Sequence, residues 1–340
     1  MASKPGQPMA ESGELIIQTR SVFSLATRLH LVLSTVASLC LAPGVACGVG
    51  CGVAYAGTFV RAPAKEFTAA LVALTPDDSL SGRSGKLRAR ILAPSRSGNI
   101  RILQRLFGDS SAQRRPGVYT TSDSVSGRPF SFITLLPFQA RTRGVVGGYR
   151  IGFWPGERRG TLAANKRPDG FIEVTAANQD TPLSEHFRLR DFLTHDQQNV
   201  WPKYMVLHES LVDKLELLIS DLQSRGVRVA RLSVMSGFRT PQYNARGVGA
   251  KGGRATDSRH QYGDAADVFV DNDFDGQMDD LNRDGRVDLR DARIVMESVE
   301  RIEGQHPDLI GGAGLYKSTS AHGPFVHVDV RGSRARWGRT

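Results

Sequence analysis

The stretch "GPFVHVDVRG", residues 323–332, alternates apolar and polar side chains with the two-residue period of a β-strand. Successive side chains of a strand point to opposite faces, so Val326, Val328 and Val330 are expected to form one buried face. The opposite face then carries a row of aromatic and ionisable groups, namely Phe325, His327, Asp329 and Arg331. The stretch predicts a strand that packs on the core through its valines and presents chemically active groups on its other face.

A second polar stretch lies upstream, "SRHQYGDAADV" at residues 258–268. In a helix the side chains of His260 and Asp267 would lie about 10 Å apart along the axis, too far to share one metal ion. The glycine and alanines between them instead favour a turn that feeds a strand, "ADVFV", and brings the aspartate back toward the histidine. A catalytic zinc takes three protein ligands and keeps one position open for water. His260, Asp267 and His327 supply such a set.

Three motifs in a fixed order resemble the zinc D-alanyl-D-alanine carboxypeptidase family. They are "SGFRTPQYN" (236–244), "SRHQYGDAADV" (258–268) and "GPFVHVDVRG" (323–332). They look closest to the murein endopeptidase branch, in which a Val-His-x-Asp strand is followed by an Arg/Trp tail, here "RARW". The wider group includes lysostaphin-type enzymes and the hedgehog signalling domain. The resemblance covers residues 182–340.

This resemblance implies an activity and a set of site residues. The zinc ligands would be His260, Asp267 and His327, and a zinc-activated water would hydrolyse peptide bonds in peptidoglycan stem peptides or cross-links, as a carboxypeptidase or an endopeptidase. Arg239 matches the family's arginine that holds a substrate carboxylate, a task that suits a planar guanidinium. Ser258 would support the site from beside the ligands.

The catalytic base departs from the family pattern. Several members place an acidic residue three positions before the last zinc histidine, where this chain has Pro324. Others use an H-x-H arrangement, and that position here is Phe325. Two alternatives stay open: Asp329, acting as base or as the group that orients His327, and His322 just upstream. A domain without a base would be a non-catalytic, zinc-containing module that binds wall peptides, which is the competing interpretation.

Between the two halves of the site lies an aspartate-rich segment, "DNDFDGQMDDLNRDGRVDLRDA" (271–292). Its second half fits an EF-hand loop with glycine at position six and an apolar residue at position eight. Asp291 replaces the usual glutamate at position 12, as in dockerin-type calcium loops, which the segment resembles. The first half forms a less complete loop, because its twelfth position already belongs to the second.

Closely spaced aspartates repel one another without a cation, so we expect this segment to bind Ca²⁺. The predicted ligands of both loops are Asp271, Asp273, Asp275, Asp280, Asn282, Asp284, Arg286, Asp288 and Asp291. The ion would be structural, tying the insertion down so that the final zinc histidine returns to its place beside Asp267. A calcium-dependent assembly module is the third interpretation.

The net charge of the chain indicates which classes of binding partner to expect. The chain of 340 residues has a formal net charge of +10, which favours anionic partners such as nucleic acid, a membrane surface or acidic wall polymers. No known nucleic-acid-binding motif is recognisable in the sequence, so no nucleic acid is expected. Peptidoglycan peptides are the expected partner, and the oligomeric state stays open.

The N-terminal segment, residues 1–56, has the order of a secretory signal peptide. Basic residues precede an apolar run, "LHLVLSTVASLCLA", and small residues lead to an A-x-A cleavage site ending at Ala56. The alternatives are a lipoprotein acylated at Cys47 or Cys51, or an uncleaved anchor. We expect export to the periplasm or cell envelope, with membrane attachment only if the chain is lipidated or anchored by residues 29–56.

The remaining chain divides in two by composition, and the expected fold class is α+β. Short strand patterns and many basic residues indicate a small β-rich domain over 57–180, of open role. Residues 181–340 would form the peptidase domain, a small antiparallel sheet with flanking helices and the calcium insertion at 271–292. A helix is predicted within 182–196, and another where leucines recur at 207, 211, 215, 218 and 222 before Gly226.

Overall fold

The structure is a computed structural model that describes residues 60–61, 80–92, 116–122, 127–163, 167–249 and 253–338. The predicted signal peptide lies outside these residues, as does "AKEFTAALVAL" (64–74), a stretch that predicts a short helix. Residues Cys51–Thr340 form one compact unit, to which all of the described residues belong.

The described elements are short strands with three α-helices. The strands are β1 Val60–Arg61, β2 Ala89–Leu92, β3 Gly117–Ser122, β4 Pro129–Thr134, β5 Leu136–Pro137, β6 Val145–Val146, β7 Tyr149–Arg150, β8 Gly170–Val174, β9 Lys203–Met205, β10 Leu232–Ser236, β11 Ala265–Val270, β12 Gly312–Tyr316, β13 Phe325–Asp329 and β14 Ala335–Trp337. The α-helices are α1 Glu209–Ser224, α2 Pro241–Ala245 and α3 Leu289–Gln305. This mixture of small sheets and few helices confirms the predicted α+β class.

A five-stranded sheet of order β10-β11-β13-β12-β14 forms the C-terminal half. The pairs are antiparallel except β12 with β14, which is parallel. The predicted alternation along β13 is present: Val326 and Val328 are fully buried in the hydrophobic core. Their neighbour His327 points to the other face, where it meets Asp267 of the adjacent strand.

Helix α1 confirms the helix predicted from the leucine spacing, although Leu207, the first leucine of the series, precedes it. Its leucines at 211, 215, 218 and 222 are fully buried, and the chain leaves the helix through Gly226, whose φ of +79° favours glycine. The helix is fixed to its neighbours by Lys214, whose buried Nζ donates to Glu303 Oε1 of α3 at 2.7 Å and to the carbonyl of Asp329 at 2.9 Å. Burial lowers the pKa of this lysine, although the Glu303 carboxylate opposes that shift.

The N-terminal half contains a four-stranded sheet of order β1-β3-β4-β2, a three-stranded sheet β5-β8-β9 and the hairpin β6-β7. Apolar residues on both sides of residue 180 contribute to one cluster of buried side chains. The described part of 57–180 consists of strands, 3₁₀-helices and loops. A domain boundary at 180 stays a prediction.

The segment 182–196 differs from its predicted helix. Only Leu189–Phe192 is helical, as a single 3₁₀ turn. The backbone N–H groups that an α-helix would use are engaged elsewhere: Leu189 donates to the carbonyl of Thr181, and Arg190 to that of Gln179. Tertiary hydrogen bonds therefore replace the local pattern here. Among the described residues, no helix has the length and apolar character needed to cross a membrane.

Candidate metal centre

The pairing of two strands and a tight turn bring the predicted zinc ligands together. Asp267 on β11 and His327 on β13 are direct partners in the antiparallel register. His260 lies in a 3₁₀ turn, Arg259–Tyr262, which ends at Gly263 with a φ of +70°. A Cβ on this glycine would lie 2.1 Å from the carbonyl oxygen of Val206, so the turn that returns the chain to β11 requires glycine.

The donor atoms of the three ligands lie at metal-binding distances. His260 Nε2 is 3.1 Å from His327 Nδ1 and 3.3 Å from Asp267 Oδ1, and His327 Nδ1 is 2.9 Å from the same oxygen. Ligands about 2.0 Å from a tetrahedral zinc ion lie about 3.3 Å from one another. All three residues are buried, with at most 6 % of their surface exposed. The donor set and its spacing fit a tetrahedral ion with one position left open.

The ring nitrogens that point away from the centre, His260 Nδ1 and His327 Nε2, have hydrogen-bond acceptors of their own. His260 Nδ1 lies 2.7 Å from the carbonyl oxygen of Gly237, which can only accept, so Nδ1 carries the hydrogen. His327 faces a carboxylate at each ring nitrogen, with Asp267 Oδ1 2.9 Å from Nδ1 and Asp329 Oδ2 3.2 Å from Nε2; in the tautomer that a metal at Nδ1 requires, Nε2 carries the hydrogen and donates to Asp329. Both remaining nitrogens then present lone pairs to each other and to Asp267. Three converging lone pairs repel unless a cation lies between them.

Charge in the centre also favours a cation. Burial lowers the pKa of His260, which favours the neutral ring. Burial alone would raise the pKa of Asp267, but the imidazoles of His260 and His327 outweigh it and hold this pKa well below its ordinary value. Burial would also lower the pKa of His327, but the carboxylates of Asp267 and Asp329 reverse the shift and raise it. The Asp267 carboxylate is therefore ionised beside the two imidazoles, and its negative charge favours a cation.

Arg239 and Ser258 lie beside the ligands. The Arg239 guanidinium bonds Oδ2 of Asp267 through Nη2 and the hydroxyl of Ser236 through Nε, at 2.8 Å. A substrate carboxylate would have to share this guanidinium with Asp267. Ser258 acts through its backbone, because its carbonyl accepts the Gln261 N–H and so closes the turn that carries His260.

The two candidate bases occupy different environments. Asp329 is fully buried, its Oδ1 accepts the Gly312 N–H at 2.6 Å, and Arg331 bonds both of its oxygens. Although burial acts in the other direction, these partners hold its pKa well below the ordinary value. His322 is half-buried; its Nδ1 bonds the carbonyl of Gly323, and its ring lies 4.9 Å from that of Phe325. Asp329 has the geometry of an orienting group for His327.

Two aromatic residues near the ligands were not predicted as site residues. The Trp337 ring lies 5.1 Å from the His327 ring, and its indole N–H donates to the hydroxyl of Tyr316 at 2.9 Å. Burial raises the pKa of Tyr316, and the nearby Asp267 carboxylate adds to this shift. The alternating glycines of β12 were the available signal: a Cβ on Gly314 would lie 2.1 Å from the Trp337 Nε1, so this glycine makes room for the indole.

We expect an Asp329→Asn variant to bind zinc 10- to 100-fold more weakly, as is usual when a group that orients a ligand histidine is altered. The affinity is measured by competition with a chromophoric chelator. Asp308→Asn, at an exposed ion pair with Arg83, is the matched control and should leave the affinity unchanged. Wild-type zinc affinity combined with lost activity would instead identify Asp329 as the base.

The first predicted calcium loop forms a second acidic group. Oxygens of Asp271, Asp273 and Asp275 all lie within 4.8 Å of one another. Asp271 is fully buried at the end of β11; its Oδ2 accepts from Ser233, whereas its Oδ1 has no hydrogen-bond partner in the described part of the chain. A buried carboxylate oxygen without a partner is costly, and a bound cation would compensate it.

In the second predicted loop, the carboxylates bond groups of the protein itself. Asp280 accepts the N–H groups of Asp284 and Gly285, and Asp291 accepts those of Leu281 and Asn282. The remaining acids bond a neighbouring guanidinium, as Arg290 pairs with both Asp284 and Asp288. Two further hydrogen bonds close the same turn. The Asp284 N–H donates to the side-chain oxygen of Asn282, and the Arg286 N–H donates to the Asp284 carboxylate. The predicted exiting helix is present as α3.

Comparison with protein-family models, with curated proteins and with solved structures finds no match for this chain. The chemistry of the buried centre is thus the basis for a functional assignment.

Proposed function

We propose that this chain is an exported zinc metallopeptidase that hydrolyses peptide bonds in peptidoglycan stem peptides or cross-links. The convergence of His260 Nε2, His327 Nδ1 and Asp267 Oδ1 within 3.3 Å carries this proposal. Two imidazoles and one carboxylate form a donor set typical of catalytic zinc, and the outer ring nitrogens face Gly237 and Asp329, acceptors that suit the tautomers a metal requires. The three ordered sequence motifs suggest the substrate class and, with the N-terminal segment, the periplasm or cell envelope.

A zinc ion bound by these three residues would lower the pKa of its water toward 7 and polarise a substrate carbonyl. The chain's own groups would do the rest. Asp329 keeps the His327 ring oriented, and Arg239 offers its guanidinium to a substrate carboxylate beside Asp267. We propose His322 as the proton acceptor, because its Nδ1 is engaged by Gly323 and its Nε2 keeps a lone pair.

The test is digestion of purified muropeptides, both monomeric and cross-linked, by the zinc-loaded protein, with products identified by mass spectrometry. We expect cleavage of a stem or cross-link peptide bond, and the fragment masses identify which bond is cut. Zinc-loaded protein that binds muropeptides without any cleavage would support the alternative, a non-catalytic zinc-containing wall-peptide module.

We also propose that the first acidic loop binds Ca²⁺ as a structural ion. This proposal rests on Oδ1 of buried Asp271, which lies close to Asp273 and Asp275 and has no hydrogen-bond partner among the described residues. Oxygen-only ligands in a D-x-D-x-D-G loop suit calcium rather than zinc. Because Asp271 ends the strand that carries Asp267, a bound ion would fix the start of the insertion relative to the zinc ligands.

Calorimetric titration of the full chain tests the calcium proposal. We expect saturating Ca²⁺ to add about 2.7 kcal/mol to the free energy of unfolding when its concentration is 100 times the Kd. An Asp273→Asn/Asp275→Asn variant should bind one ion fewer, whereas Asp284→Ala reports on the second loop alone. An unchanged number of ions in the first variant would contradict the assignment.

A further inference from the structure

A cleft of about 570 Å³ lies between the segment 143–159 and helix α2. Its size is in the range of ligand-binding pockets. Four arginines line it, namely Arg143, Arg150, Arg158 and Arg159. Phe153 contributes apolar surface to the lining, whereas Trp154, which also borders the cleft, has a buried side chain. The cleft thus combines concentrated positive charge with apolar surface.

Within the described residues, no acid neutralises the positive charge of the cleft. In the described parts of the chain, none of these four arginines forms an ion pair with an acid, and all four side chains are exposed. Glu157, on the same segment, is already engaged: its Oε1 bonds Arg141, and its Oε2 accepts the Trp154 N–H at 2.9 Å. The Arg158 guanidinium stacks 4.1 Å from the centre of the Phe153 ring. Stacking restricts this guanidinium and leaves its N–H groups available to an anion.

Both walls of the cleft are linked to the metal centre. The Trp154 indole donates to the carbonyl of Gln261, the residue after His260, at 2.9 Å. Gln242 in the opposite wall donates its backbone N–H to Ile151 at 2.9 Å and follows Arg239 by three residues. Three residues of chain span at most about 10 Å. A peptide in the cleft could therefore extend to the metal ligands.

We propose that this cleft binds the carboxylate-bearing part of an acidic peptide and guides the adjoining peptide bond to the metal centre. The guanidiniums would pair with carboxylates while Phe153 contacts the peptide's apolar atoms. The second half of the proposal, delivery of a scissile bond, rests on the proposed peptidase function. The binding itself does not.

Fluorescence anisotropy with a labelled tetraglutamate peptide tests the binding, using the zinc-loaded full chain at fixed low salt. An Arg158→Glu/Arg159→Glu variant should bind at least about tenfold more weakly. An Arg228→Glu/Arg293→Glu variant alters the net charge equally outside the cleft and should change the Kd less than twofold. The tetraglutamine peptide, isosteric but uncharged, should bind at least about tenfold more weakly than tetraglutamate to wild-type protein. Unchanged thermal melting shows that both variants are folded.

Equal weakening by both double variants would overturn the proposal, because net charge alone would then explain binding. Tight binding of tetraglutamine would also overturn it. Stronger binding of single-stranded DNA or polyphosphate than of tetraglutamate, lost in the cleft variant, would assign the cleft to phosphate instead. Failure of muropeptide cleavage with intact tetraglutamate binding would remove the peptidase function and leave the cleft assignment standing. Cleavage with an unchanged KM in the cleft variant would refute delivery to the centre.

Discussion

A His260→Ala variant is expected to lose bound zinc and peptidase activity together. Only two protein ligands would remain, and the carbonyl of Gly237 would lose the ring it orients. We expect the zinc content of purified protein to fall from about one ion to less than about 0.1, and activity to fall by about three orders of magnitude or more, because no ion lowers the pKa of the attacking water. Metal analysis by mass spectrometry and muropeptide turnover measure the two effects.

The matched control is His195→Ala. That histidine is exposed and bonds only the carbonyl of Met235 among the described residues, so its loss should change neither zinc content nor activity. Asp267→Asn should resemble His260→Ala, because the neutral amide is a poor zinc ligand. A full equivalent of zinc in either ligand variant would refute the ligand set, whatever the activity.

A Lys214→Met variant is expected to lose about 3 to 5 kcal/mol of unfolding free energy, the usual effect of breaking a buried ion pair. The substitution fills the space of the lysine stem but removes the ammonium that Glu303 and the carbonyls of Leu309 and Asp329 bond. Urea unfolding followed by circular dichroism measures the loss. The carbonyl of Asp329 belongs to the strand that carries His327, so zinc affinity should also fall.

The control for this variant is a second ion pair between the same two helices. Arg301 of α3 bonds Asp221 of α1, but the arginine side chain is 45 % exposed. Solvent screens such a pair, so Arg301→Ala should lose less than about 1 kcal/mol. Equal losses from the two variants would show that burial of the Lys214 ammonium has no special weight in the stability of this helix pair.

Much of the centre could be predicted because its ligands sit on regular local patterns. The alternation in β13 identified the face of His327, and the leucine spacing identified α1. The seven-residue gap to Asp267 already required a turn, and Gly263 provides it. Periods of two and 3.6 residues are local properties, so one sequence is enough to reveal them.

The rest depended on contacts between distant residues. Nothing near Arg239 in the sequence indicates that it bonds Asp267, 28 positions later. Tyr316 reaches the centre through the pairing of β12 with β13 and through Trp337, and the glycines of β12 show only that space is needed there, not which residue fills it. The segment 182–196 has helical spacing, but hydrogen bonds to residues 179–181 prevail. These contacts are set by the tertiary fold, and the local periodicity of the sequence does not predict them.

The register between β11 and β13 separates the metal centre from the chain that connects its halves. Asp267 and His327 lie opposite each other because Ala265 pairs with Asp329 and Val268 with Val326. Inter-strand hydrogen bonds, and not the length of the intervening segment, set the spacing of the ligands. The alignment of the ligands thus depends on the pairing of β11 with β13, which an ion bound in the acidic insertion would support from the end of β11. Deleting one residue inside β13 would turn His327 into the core.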